Sequence, residues 1–384
     1  MRLAGLPNAM TRIRLSNLRA PVLSSLAAIA MAGITAACGR TLKPLPPGQA
    51  LTRAERAEAI RRASVWTPVD ISSIDFKKGP DVEGGFEPDA LVTCDYKETV
   101  MDGKSRKFTC ETKPGEAIKV KYGERNAEVY GEVLSSRLLW GLGFYADRMF
   151  PVRVSCKGCS PDPFKLPKPV ATTTEFNPAA IERKLPGRPL EIAEDSGWKW
   201  SELDEIGPDS PPDARAHRDA LKLLAAFIQH SDSKPDNQRL FCPEGQEMGE
   251  KGCHAPALMI HDLGLTFGAA SFLNKAKHAV SFEHWQEEPV WKDRGKCIAQ
   301  LKGSITDHFS HPEISEAGRA FLAGLLIQLT DAQLRDLFES ARIERRSAHV
   351  RGDPKDDLPV ASVDQWVEAF KTKRAEIVNH RCPR

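Results

Sequence analysis

Apolar and polar positions change period several times along this chain, and each change marks an element. Residues 52–64, with Thr52, Glu55, Ala57 and Ile60, follow helical spacing. From Trp66 to Tyr122 the apolar runs become short and are broken by Gly and Pro. Strands are predicted over 69–76, 90–96, 107–112 and 117–122, together a small sheet. Asn126 then opens a helix to about Leu142, with Glu128 in its first turn and Tyr130, Val133, Leu134 and Leu138 on one face. A strand over 149–155 and a Pro-rich passage follow. After Asp213 the pattern is mostly helical, and Ala216, Ala220, Leu223, Leu224, Phe227 and Ile228 form one apolar stripe. Strands at 238–242 and 257–261 interrupt it before helices at about 315–329, 331–343 and 363–379. The pattern predicts an α+β fold, a strand-rich amino lobe over 52–170 joined to a helical carboxyl lobe over 171–384, with no internal repeat.

Composition allows a sizeable core: 384 residues, 41% of them hydrophobic. The formal charge is only +2, so the bulk field expected of a nucleic-acid binder is missing. Residues 1–37 hold Arg2, Arg12, Arg14 and Arg19 and no acid, and an Ala-rich apolar stretch ends at Thr35-Ala36-Ala37-Cys38-Gly39. That is the layout of an export signal. Its end resembles the lipobox of bacterial lipoproteins, which implies lipidation of Cys38 and a protein facing the periplasm or cell exterior from a membrane. Ordinary cleavage near Ala37 and an uncleaved anchor are the alternatives. The Pro-rich segment that follows, within 38–51, reads as a stiff tether. Without Cys38, eight of the nine cysteines remain, an even number that suits an oxidising compartment. Cys94 and Cys110 flank the Asp102-Gly103 turn signal, and Cys242 and Cys253 a Gly-rich excursion, so each pair is placed to link neighbouring strands. For Cys156-Lys157-Gly158-Cys159, half a zinc site, a local disulfide or free thiols remain open.

The chemistry concentrates in His230-Ser231-Asp232-Ser233-Lys234-Pro235-Asp236-Asn237, between the apolar helix and a strand. The residue types also suit an Asx and Pro turn. The order H-x-D-x-K-x-x-N resembles the catalytic loop of the protein-kinase-like superfamily, and Asp262-Leu263-Gly264, after the apolar run 257–260, resembles its metal-binding D-F-G. The layout is closer to atypical members, the HipA-type, lipid-kinase-like and disulfide-bearing secretory-pathway kinases. The nearby triplet His217-Arg218-Asp219 spells H-R-D but belongs to the helical stripe. The resemblance implies Asp232 as base, Lys234 on the transferring phosphoryl group, and Asn237 and Asp262 on Mg2+ or Mn2+.

Upstream, Ala117-Ile118-Lys119-Val120-Lys121-Tyr122 supplies the expected nucleotide lysine. Lys119 and Lys121 share a strand face, and apolar neighbours favour Lys121. Glu132, deeper in its helix than Glu128, is the expected partner. Gly84 and Gly85, in the loop 79–86 between the first two predicted strands, are placed as a phosphate-covering flap or a solvated turn. The implied activity is an exported kinase-like phosphotransferase that moves a phosphoryl group from a magnesium-bound ATP or related nucleotide to a hydroxyl of a protein, lipid or small molecule. A partner-binding pseudokinase lipoprotein and an AMP transferase are the alternatives.

Overall fold

The computed structural model describes residues 50–101, 103, 105–192, 197–268, 279–302, 309–349 and 360–383. The export segment, Cys38 and the tether up to residue 49 lie outside the described residues, as does Asp102 of the expected hairpin turn.

The fold is α+β. It begins with α1, Arg53–Arg62, whose capping box joins Thr52 and Glu55. The expected strand over 69–76 does not form. Asp70 accepts from Ser72 N at 3.1 Å and starts a one-turn 3₁₀ helix, Ile71–Ser73, a local side-chain bond that competes with a strand ladder.

Five strands then close a barrel: β1 Leu91–Lys97, β2 Lys107–Lys113, β3 Glu116–Tyr122, β4 Arg148–Lys157 and β5 Thr173–Arg183, in the order β1-β2-β3-β5-β4. A parallel pairing of β1 with β4 completes the ring, and the other neighbours are antiparallel. β5 begins after residue 170, where the sequence pattern ends the amino lobe, yet it is part of this barrel. Its Pro178 lacks the N–H that a strand pattern leads one to expect. Phe108, Val120, Phe150, Val152, Val154, Phe176 and Ile181 fill the barrel with a core of their own, along with the sulfurs of Cys94–Cys110 and Cys156–Cys159.

Between β3 and β4 runs α2, Ala127–Gly141, started by Asn126, whose side chain accepts from Glu128 N. Nearly every residue of α2 is buried, because it packs both against the barrel and in the larger hydrophobic core. A three-stranded sheet follows, formed by β6 Gly187–Pro189, β7 Gln238–Pro243 and β8 Ala257–Ile260 in the order β8-β7-β6. Between β6 and β7 in sequence lies α3, Ala214–Phe227, whose apolar face enters the larger core. Arg218 of the H-R-D triplet, buried in this helix, donates to the carbonyls of Ile60, Arg61 and Ala63 at the end of α1. The helices α4 Glu316–Leu326, α5 Asp331–Ser340 and α6 Val363–Val378 complete the core. Cys242–Cys253 and Cys297–Cys382 bring the disulfides to four and pair all eight cysteines beyond Cys38. Trp198, Trp200, Trp285 and Trp291 are buried packing residues. No helix among the described residues is long and apolar enough to cross a membrane.

Candidate active site

Three elements meet at the exit of β3. Lys121 is the penultimate residue of that strand and only 1% exposed. Its ammonium donates to Glu128 Oε2 at 2.6 Å, to Asp262 Oδ1 at 2.8 Å and to Glu132 Oε1. Both glutamates come from one face of α2, four residues apart. Asp262 follows β8, with its backbone in the left-handed region at φ 55°. Glu132 accepts a second bond from Leu263 N at 3.1 Å and so ties the helix to the Asp-Leu-Gly turn. Lys119, two residues back on the same face, pairs with Glu182 of β5. The sequence leaves the nucleotide lysine open between Lys119 and Lys121; the structure brings Lys121 to Asp262 and engages Lys119 with Glu182.

A close backbone approach makes this meeting possible. A Cβ on Gly131 of α2 would stand 2.5 Å from the Gly264 carbonyl oxygen, and one on Gly264 would run into the side chain of Glu128. Two glycines in contact let the helix lie directly on the turn.

The loop from His230 to Asn237 reaches the same place through the β7–β8 pairing, in which Ile260 opposes Gln238. His261 N donates to Asn237 O at 2.8 Å, so Asn237, which leads into β7, and Asp262, which follows β8, stand at the same end of adjacent strands. Asn237 Nδ2 donates to Asp232 O at 2.7 Å and folds the loop, and Lys234 Nζ lies 3.9 Å from Asp232 Oδ2. The Asn237 Oδ1 is buried and accepts no hydrogen bond. A buried amide oxygen without a donor calls for a cation or an ordered water.

Electrostatics follow from one ammonium among three carboxyl groups. Burial alone would push Lys121 down, but Asp262, Glu128 and Glu132 outweigh it and hold the ammonium well above its usual value. Burial would raise Asp262, yet Lys121 and Lys119 keep it well below the usual carboxylate range. Glu132 is pushed up to about 8 by burial, which Lys121 only partly offsets. The carboxyl oxygens of Glu128, Glu132 and Asp262 lie within 4.8 Å of one another, an arrangement short of positive charge. His230, fully buried with no partner on either ring nitrogen, is driven down to about 4 by burial.

Gly84 and Gly85 are not in this place. Because 69–76 is no strand, their loop precedes the first strand of the barrel instead of joining the first two. Arg183 Nε donates to Gly84 O at 2.6 Å, and Arg183 also holds Glu116 at the opposite end of β3 from Lys121. The connection between the first two strands is 98–106, and it leads into Lys107, which pairs across the ladder with Lys121. Neither spacing nor motif marks Lys107 in the sequence, and Glu128, a turn nearer the start of α2 than Glu132, bonds Lys121 as well. The Pro114-Gly115 turn between β2 and β3 is the signal from which the register of Lys107 starts.

No protein-family model matches the chain, and no curated protein matches it. Among solved structures it is similar to the Helicobacter pylori proinflammatory kinase CtkA, at 11% identity over 77% of this chain and 95% of that one. The TM-score is 0.39, a superposition too loose to carry an argument.

Proposed function

We propose that this chain is a two-lobed, kinase-like phosphotransferase acting on a hydroxyl acceptor. The observation that carries the reading is the meeting of Lys121, Glu132 and Asp262 beside Asn237, whose buried oxygen awaits a partner. Asn237 Oδ1 and the Asp262 carboxylate are hard oxygen donors suited to magnesium or manganese. Bound there with a nucleotide, such an ion would neutralise charge on the phosphate oxygens. Lys121 then serves the α and β phosphates, and Glu132 orients it. Asp232 accepts the proton as the acceptor oxygen bonds to phosphorus and the bond to the nucleotide's leaving oxygen breaks, while Lys234 offsets charge on the moving phosphoryl group. Four disulfides support export to an oxidising compartment, and Cys38 is the proposed lipid-bearing residue. The position of Gly84 and Gly85 away from the site favours one rival, a nucleotide-binding protein without transfer.

Incubation with labelled ATP and envelope material tests the two. Asp232→Ala is expected to keep magnesium-nucleotide affinity and to lose transfer by roughly 10²-fold to 10⁴-fold, the range for a lost general base. Asp262→Ala is expected to weaken nucleotide binding itself. Identical behaviour of wild type and Asp232→Ala in every transfer assay, AMP transfer included, leaves the rival standing.

A further inference from the structure

The outer face of the β2–β3 ladder carries three lysines. Lys107 opposes Lys121, Thr109 opposes Lys119, and directly opposed residues of an antiparallel pair project to the same side. Lys119 is engaged by Glu182, and Lys121 by Glu128, Glu132 and Asp262. Lys107 is half-buried, and among the described residues no carboxylate lies within ion-pair distance of it. Its ammonium hangs beside Gly103 in the connection between β1 and β2, where a Cβ would stand 3.2 Å from Nζ. A cation that is partly desolvated, without an ion-pair partner among the described residues and on the same face as Lys121 is placed to meet an incoming polyanion.

We propose that Lys107 is a second phosphate-binding lysine, which selects nucleoside triphosphates over nucleotides with fewer phosphates; this rests on the nucleotide reading above. Burial and the neighbouring Lys121 both push the Lys107 ammonium down, with Asp262 and Glu128 opposing, so added negative charge there meets a group with unsatisfied demand. Lys121 serves the α and β phosphates while shared among three carboxylates, and the charge that reads a further phosphate therefore falls to Lys107.

The test measures binding of ATP, ADP and adenosine, each with magnesium, to wild type, Lys107→Met, Lys107→Gln and Lys107→Arg by calorimetry, with ligand-free melting temperatures as the folding control. Expected is a loss of roughly 10-fold to 100-fold in ATP affinity for the Met and Gln variants, the scale of one hydrogen bond to a charged group. ADP and adenosine affinities stay within about twofold, and Lys107→Arg retains the ATP preference. Two neutral variants keep the test decisive if one of them folds poorly. An unchanged ratio of ATP to ADP affinity in a folded neutral variant overturns the role of Lys107 and leaves the nucleotide site in place. A wild type that binds ATP, ADP and adenosine alike overturns it too, and one that binds none of them overturns the nucleotide reading together with it.

Discussion

His230 shows how much a single buried side chain can decide. Its neutral ring is enclosed at the start of the loop from His230 to Asn237, where the burial cost of a charged ring outweighs the attraction of Asp232 and Asp262. The unfolded chain takes up that proton near pH 6.5 and the folded chain only near 4, so the contribution of His230 to stability is complete above pH 6.5. It is lost as pH falls through the window from 6.5 to 4, up to roughly 3 kcal/mol. Urea unfolding across that window should be less pH-dependent in His230→Leu than in wild type; equal slopes would remove His230 as the cause. At this scale the sequence is informative where one residue has one neighbourhood. Asp232, Lys234 and Asn237 stand out because short spacings hold them together, and Asp262 because it ends an apolar run and opens Asp-Leu-Gly. Lys107 does not, for a reason of register. Lys113 opposes Glu116, but a one-residue irregularity at Thr112 shifts the ladder so that Glu111 opposes Ala117. That shift sets Lys107 opposite Lys121, and without it Lys107 would oppose Tyr122 and face the other way.

Among the elements, α2 and the Asp-Leu-Gly turn are held together by two glycines. Gly131→Ala or Gly264→Ala forces the helix off the turn, an overpacking cost of about 1–3 kcal/mol. Because Glu128 and Glu132 travel with the helix, magnesium-nucleotide affinity should fall along with the melting temperature. A variant that melts earlier yet binds normally would show that the contact is merely structural. Helical periodicity reveals α2, whereas its contact with the Asp-Leu-Gly turn joins residues more than a hundred positions apart, which no local pattern encodes. The same limit hid β5, where Pro178 interrupts the alternation, and it misassigned 69–76, where Asp70 turns the chain.

At the scale of the whole molecule, the cysteines staple loops of very different length. Cys297–Cys382 closes a separation of 85 residues and Cys156–Cys159 one of 3. Chain entropy gives about 4.5 kcal/mol to the first and about 2 to the second. Replacing Cys297 and Cys382 by Ser should therefore lower the guanidinium midpoint more than replacing Cys156 and Cys159, and the reverse order would contradict an entropic origin. Alkylation of the oxidised protein followed by intact-mass measurement should find no free thiol among the eight; several would sink the pairing. The sequence showed which cysteines flank short excursions, but not that residue 297 meets residue 382, since that depends on how α4 and α6 pack. The ring of β1-β2-β3-β5-β4 has a further consequence. An open sheet ends in strands whose outer amides and carbonyls invite a foreign strand to pair with them. A closed ring has no such rim, so a partner cannot dock here by extending the sheet, nor can a second copy join it in a growing fibril. Recognition on this half of the protein must then be read by side chains on its curved outer wall.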